Sequence, residues 1–358
     1  MNSNNLVKIA FIDDGINPEP IPKNICFENY TADENGVKPD KPISEASHGT
    51  LCYQIFHSTV YVPYNLVSIK VLDSYTGTGN HKSLVSALNW CANQDINIIN
   101  MSMGTRQYLD FAPISDAIKR LSDIIIVAAC SNENELTFPA CLPYVIGVRH
   151  CNHEDLTGKF TYIDTPYDQI EILTCAKYGQ MDGANSFAAP LITARVCDYI
   201  ARGFSGIAAI REQLRKNSSC FAMPDYGFYK RLLLKWEDLN IPIVAIPENA
   251  DKYAVKLKSL IQCFVQDGYR AVGLTTRTET SAEDLVFSLN RQGATQVELP
   301  DLIELYYNFM LPDIIFLHIE LPTLIKLPKK LQADITLSAP DLSKSTESIF
   351  LQITKLLA

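Results

Sequence analysis

Ser186 stands in Gly183-Ala184-Asn185-Ser186-Phe187-Ala188-Ala189-Pro190, a small-residue turn that runs into the apolar stretch Leu191-Ile192-Thr193-Ala194-Arg195-Val196. A serine where a helix starts lies among backbone N–H groups that have no helical partner and point outward, so negative charge forming beside its oxygen is stabilised. Asn-Ser before an apolar helix is also an ordinary N-cap. The serine becomes a candidate nucleophile because separate segments offer a base, an orienting acid and a second oxyanion donor. His48, in Ser47-His48-Gly49-Thr50, has small neighbours that let its ring reach into a cleft, and imidazole suits base chemistry near neutrality. Asp13 directly follows an apolar strand and is the better candidate for a buried carboxylate, whereas Asp14 before Gly15 shapes a turn. Asn132, in Cys130-Ser131-Asn132-Glu133-Asn134, carries an amide that can donate into a crevice, although an asparagine opening a loop is also a turn residue.

The elements that must position these groups read as alternating strands and helices. Strands are expected over 7–12, 66–72, 96–104, 124–129, 144–148 and 170–175, and helices over 51–58, 82–94, 113–121, 186–202 and 206–217. Residues 17–44 read as surface loop. This alternation predicts an α/β fold with a parallel sheet, and each candidate residue falls at a strand end or a helix start, where such folds place their sites.

The local sequences resemble those of the subtilisin-like serine proteases, the subtilases. Ile9-Ala10-Phe11-Ile12-Asp13-Asp14-Gly15-Ile16 is similar to the family's aspartate motif, Ser47-His48-Gly49-Thr50 to its histidine motif and Ser186-Phe187-Ala188-Ala189-Pro190 to its serine motif. The order Asp, His, Ser is the subtilisin order. Val127-Ala128-Ala129-Cys130-Ser131-Asn132 resembles the segment with the oxyanion asparagine, and Ile99-Asn100-Met101-Ser102-Met103-Gly104 the strand that pairs with substrate. The resemblance, over roughly residues 6–205, implies that Ser186 attacks the scissile carbonyl, His48 moves its proton and Asp13 holds the imidazole. It further implies that Asn132 and the Ser186 N–H meet the oxyanion, while Ser102, Met103 and Gly104 bind an extended peptide. Two departures touch the oxyanion region: Ala184-Asn185 stands where the family has Gly-Thr, and Ser131 where it has glycine. A narrow-specificity enzyme, or a peptide-binding module that has lost efficient chemistry, is therefore expected.

At 358 residues the chain is long enough for two domains. A catalytic domain is expected over 1–219 and a smaller α/β accessory domain over 220–358, the latter resembling a degenerate P-loop fold. In it, Ile241–Ile246, a helix to Gln266 and Ala271–Thr275 form a βαβ unit, with a further strand at 313–319 and a tail helix over 341–358. Lys252 falls where a phosphate-binding lysine would lie, but the loop lacks cradling glycines and Tyr253 replaces the magnesium-touching hydroxyl. This domain is expected to bind substrate or to make a homo-oligomer rather than to bind nucleotide.

A net charge of −9 argues against nucleic-acid and anionic-membrane partners. The 10 cysteines are scattered singly, without a Cys-x-x-Cys pair, which suits reduced thiols in a cytoplasm. No acidic calcium loop is identified, so neither a metal nor another cofactor is expected. The first strand begins close to Met1 without room for a pro-segment, which resembles leader peptidases and makes a ribosomally made precursor peptide the expected substrate.

Overall fold

The structure, a computed structural model, describes residues 6–219, 224–233, 235–247, 252–277, 282–290 and 297–357. The chain forms two compact units, one of residues 1–106, 110–132 and 137–223, the other of residues 107–109, 133–136 and 224–358.

The first unit is built on a nine-stranded sheet of β1 (Val7–Asp13), β2 (Phe27–Asp33), β3 (Gly36–Pro39), β4 (Tyr64–Lys70), β5 (Ile98–Met101), β6 (Ile125–Ala129), β7 (Ile146–His150), β8 (Phe160–Tyr162) and β9 (Ile172–Thr174), in the order β3-β2-β4-β1-β5-β6-β7-β9-β8. Only the outermost pairs, β2–β3 and β8–β9, are antiparallel. The central strands bury both faces and are accordingly near-continuous in Val, Ile, Ala and Phe. The helices are α1 (His48–His57), α2 (His81–Cys91), α3 (Phe111–Lys119), α4 (Asn185–Ala201) and α5 (Ile207–Lys216). From β1 the strand order runs one way to β4 and the other way to β5, so the carboxyl end of β1 is a topological switch point, where α/β sheets open a crevice. The segment expected to be a surface loop in fact holds β2 and β3. Its residues are polar because the edge strand β3 and its neighbour β2 are at most half-buried, which hides them from a search for apolar runs.

The second unit has α6 (Tyr226–Leu232), β10 (Ile243–Pro247), α7 (Lys252–Gln266), β11 (Ala271–Thr275), β12 (Val286–Ser288), α8 (Leu299–Met310), β13 (Ile314–Ile319), α9 (Leu321–Ile325), β14 (Ile335–Thr336), α10 (Ala339–Leu342) and α11 (Thr346–Leu357). Its five-stranded sheet runs β12-β11-β13-β10-β14 and is parallel throughout. The β10–α7–β11 crossover therefore spans a strand, because β13 inserts between β10 and β11. Residues 248–251, the expected loop before Lys252, lie outside the described residues. Asp313 sits at the amino end of β13, where Arg270 pairs with it at 2.7 Å, away from the carboxyl ends that would face a ligand. The tail is two helices rather than one: Ser338 and Asp341 form a capping box on α10. Leu342, Ile349 and Ile353 are buried, and Leu356 is exposed.

Candidate active site

Asp13 is the last residue of β1, and its side chain is buried at the sheet centre. Its carboxylate accepts the Asp14 N–H at 2.9 Å and meets His48 Nδ1 at 2.9 and 3.1 Å. A carboxylate can only accept from that nitrogen, so Nδ1 carries the proton and Nε2 keeps the basic lone pair. Burial alone would lower the His48 pKa, but the Asp13 hydrogen bond and charge outweigh it and raise it above the ordinary 6.5.

Asp14 does more than shape a turn. Its carboxylate accepts the backbone N–H groups of His48 at 3.1 Å and Gly49 at 2.8 Å, the first two residues of α1. Ser47, the N-cap, accepts from the Thr50 N–H at 3.0 Å. Adjacent carboxylates thus serve two purposes, one holding the His48 ring and the other the start of its helix. Burial pushes the Asp14 pKa up in spite of the two amides. Gly49 is required because a Cβ there would lie 2.5 Å from the Gly15 carbonyl oxygen and 3.1 Å from Asp13 Cβ. Gly15 itself adopts φ +102°, in the region that favours glycine.

Ser186 is the second residue of α4, which packs against β5, β6 and β7 and against α1. Pro190 lies inside this helix and has no N–H, so the Ser186 carbonyl four residues earlier loses its helical donor. The thiol of Cys52 takes that place, donating to the Ser186 carbonyl at 3.8 Å. Cys52 lies one turn after His48 on α1, with its sulfur 3.8 Å from Nε2 and 3.9 Å from Nδ1, and the Phe187 ring stacks on His48 at 6.5 Å between centroids. His48 and the Ser186 backbone therefore share one small buried contact. Sequence reasoning passed over Cys52, whose i+4 spacing from His48 was the available signal.

The helix N-cap before Ser186, Ala184, offers no side-chain cap. Asn132 supplies it from the loop after β6: its Oδ1 accepts the Asn185 N–H at 3.0 Å. Asn185 Oδ1 in turn accepts the His150 N–H at 2.8 Å, and its Nδ2 donates to the Ser131 carbonyl at 2.5 Å. His150 lies beneath this turn. Its Nδ1 accepts the Ala176 N–H at 2.9 Å, and a Cβ on Gly183 would fall 2.1 Å from its ring. Ser102, Met103 and Gly104 follow β5, with Ser102 buried and Gly104 exposed. Asn100 donates to Ser102 Oγ at 3.2 Å, and Gly104 approaches Phe138 so closely that a Cβ would lie 2.6 Å from its carbonyl oxygen.

A cleft of about 1080 Å³ opens beside His48, lined among others by Glu19, Ser44, Leu51 and Tyr75. Among the described residues, Asp13, His48 and Cys52 bring potential metal-ligand atoms within 4.8 Å of one another. Asp13 already occupies Nδ1, and the sulfur lies almost equally far from both ring nitrogens rather than along one lone pair, a poor arrangement for coordination. Of the remaining histidines, His57 bonds the Tyr64 hydroxyl at 2.8 Å, His81 pairs with Asp110 at 2.8 Å, and His318 meets Thr275 at 3.1 Å.

Among curated proteins, the chain is 26% identical over 214 residues to the major intracellular serine protease of Bacillus subtilis (strain 168), an alignment covering 52% of this chain and 66% of that protein, just under two thirds. It is 26% identical over 298 residues to the intracellular serine protease of Paenibacillus polymyxa, covering 75% of this chain and 84% of that one. Among solved structures, a cold adapted subtilisin-like serine proteinase aligns with a TM-score of 0.47 at 18% identity, covering 63% of this chain and 86% of that chain. Residues 4–203 match the profile of the subtilase family (Peptidase_S8), and the chain belongs to that family.

Proposed function

We propose that the chain is a serine endopeptidase in which Ser186 is the nucleophile, His48 the general base and acid, and Asp13 the orienting carboxylate. The observation that carries this reading is the two-point contact of the Asp13 carboxylate with His48 Nδ1, at 2.9 and 3.1 Å, which leaves Nε2 as the basic nitrogen. Nε2 takes the Ser186 hydroxyl proton as the oxygen attacks the scissile carbonyl, then returns it to the leaving amine. Water regenerates Ser186 by the same route in reverse. The oxyanion is met by the Ser186 N–H at the start of α4 and by the Asn132 amide, whose Oδ1 is held by Asn185 so that the donor end is presented. Ser102, Met103 and Gly104 pair with the substrate backbone as an added strand.

The finer reading is a processing enzyme of narrow specificity, acting in the cytoplasm on a precursor peptide. Its support is the resemblance in sequence, the two relatives named as intracellular proteases and the free thiols of the nine described cysteines. In this reading residues 1–219 are the catalytic domain. Residues 220–358 are a degenerate P-loop-like domain that recruits the peptide or makes a homo-oligomer.

Cleavage of a diverse peptide library by wild type and by Ser186→Ala, read by mass spectrometry, tests both levels. Cuts within a few related sequences, absent from the variant, are expected. Cuts that persist in the variant contradict the assignment of Ser186, and cuts spread over unrelated sequences contradict the narrow specificity.

A further inference from the structure

The two departures from the family pattern, Asn185 before the serine and Ser131 before the oxyanion asparagine, meet in one hydrogen-bond network. Asn185 is buried, and both ends of its carboxamide bond backbone groups. Its side chain spans two segments: Oδ1 accepts the N–H of His150 at the end of β7, and Nδ2 donates to the carbonyl of Ser131. That carbonyl belongs to the peptide leading into Asn132, so the bond fixes the plane from which Asn132 projects. The Asn185 backbone N–H then donates to Asn132 Oδ1 at 3.0 Å and fixes the rotation of the amide itself. Ser131 is held from the other side by its own N–H, which donates to Thr137 Oγ1 at 2.9 Å.

We infer that Asn185 is a positioning residue for the oxyanion site: it sets the Ser131–Asn132 turn through its side chain and the Asn132 amide through its backbone, so that the donor is in place before charge develops. The inference rests on the endopeptidase reading above. A threonine, the usual residue there, puts donor and acceptor on one oxygen, whereas the carboxamide separates them and links β7 to the loop after β6. The same link accounts for Ala184 as a helix N-cap without a side-chain bond: the cap of α4 comes from Asn132, and Asn185 keeps that cap in place. Preorganisation of this kind acts on the transition state and leaves substrate binding alone.

Asn185→Asp is the discriminating variant. It is isosteric and keeps the acceptor for His150, but it turns an oxygen toward the Ser131 carbonyl in place of the N–H. The expected result is a fall in kcat of about 10- to 100-fold, less than deleting an oxyanion donor outright, with KM within about twofold. Asn132→Ala is made alongside, and Asn185→Asp added to it lowers kcat by no more than about twofold further, because the residue acts through Asn132. Thermal denaturation and near-ultraviolet circular dichroism establish that each variant is folded.

Independently of activity, the side-chain amide signals of Asn132 in asparagine-labelled protein, assigned through Asn132→Ala, shift or broaden in Asn185→Asp. Wild type that cleaves peptides with Asn185→Asp retaining its kcat, or losses that multiply in the double variant, overturns this inference alone. Wild type that neither cleaves peptides nor takes up a fluorophosphonate on Ser186, with the Asn132 signals still moved by Asn185→Asp, overturns the endopeptidase reading and leaves the link between the two asparagines standing. Inert wild type with unmoved signals overturns both.

Discussion

The site is assembled from two helix N-termini that solve the same problem differently. At α1, caps come from the immediate neighbourhood of the motifs: Ser47 next to His48, and Asp14 next to Asp13. At α4, the N-cap is Ala184 and the bond to the first N–H comes from Asn132, more than fifty residues away. The helix that carries His48, the proposed base, is fixed by groups to which no chemical step is assigned. The helix that carries Ser186, the proposed nucleophile, is fixed by Asn132, the group assigned to the oxyanion. Helix capping and the proposed chemistry are therefore separable on the His48 side and coupled on the Ser186 side.

The widest break in that comparison is on the base. His48→Ala should lower kcat by about 10⁶-fold, a magnitude taken from subtilisin itself, and should lower the thermal midpoint only through the lost Asp13–His48 pair, since Asp14 and Ser47 still cap α1. Steady-state kinetics and a melting curve check the two halves together. Asn132→Ala should move both quantities. Its kcat falls by about 10²- to 10³-fold, again the subtilisin scale for one oxyanion donor. Its unfolding free energy, followed in denaturant, falls by about 1 kcal/mol as α4 loses its cap.

The raised pKa of His48 sharpens the contrast through pH. The paired imidazolium stabilises the fold fully below the ordinary pKa of 6.5, and that contribution is lost as pH rises through the higher folded value. Activity runs the other way, because only the neutral ring accepts a proton. kcat/KM should rise with an apparent pKa above 6.5, and Asp13→Asn should move that pKa downward. The smallest expected effect is at the contact between the two helices. Cys52→Ala removes the donor to the Ser186 carbonyl and should lower kcat by about fivefold, the scale of one hydrogen bond, while Cys52→Ser, which keeps a donor, should stay nearer wild type.

Much of this was legible in the sequence where the signal is local. The central strands announce themselves as apolar runs because both faces are buried, and the Asp, His and Ser motifs sit at strand ends and helix starts, where the fold requires them. β2 was not legible: Phe27-Glu28-Asn29-Tyr30-Thr31-Ala32-Asp33 lies between β4 and the short edge strand β3 and is only half-buried, so its composition is that of a loop. The cap made by Asp14 depends on α1 docking against the end of β1, a contact 34 residues distant in sequence, and nothing in Asp-Gly distinguishes it from a turn. Cys52 and Asn185 were visible as residues but not as partners, since each acts through a carbonyl or an amide of another segment. In the second unit β10, β11 and β13 were legible as apolar runs, whereas the short β12 and β14 were not, nor was the strand order, because which strand inserts between β10 and β11 is decided by packing and not by the local pattern.

The central claim is that Asp13, His48 and Ser186 work as one catalytic unit. Reaction with a fluorophosphonate, followed by intact mass and peptide mapping in wild type and in His48→Ala, tests it most directly. A single adduct on Ser186 that disappears from the folded His48→Ala variant is the predicted result. Folded wild type that takes up no adduct, or a Ser186 that reacts equally well without His48, would contradict it.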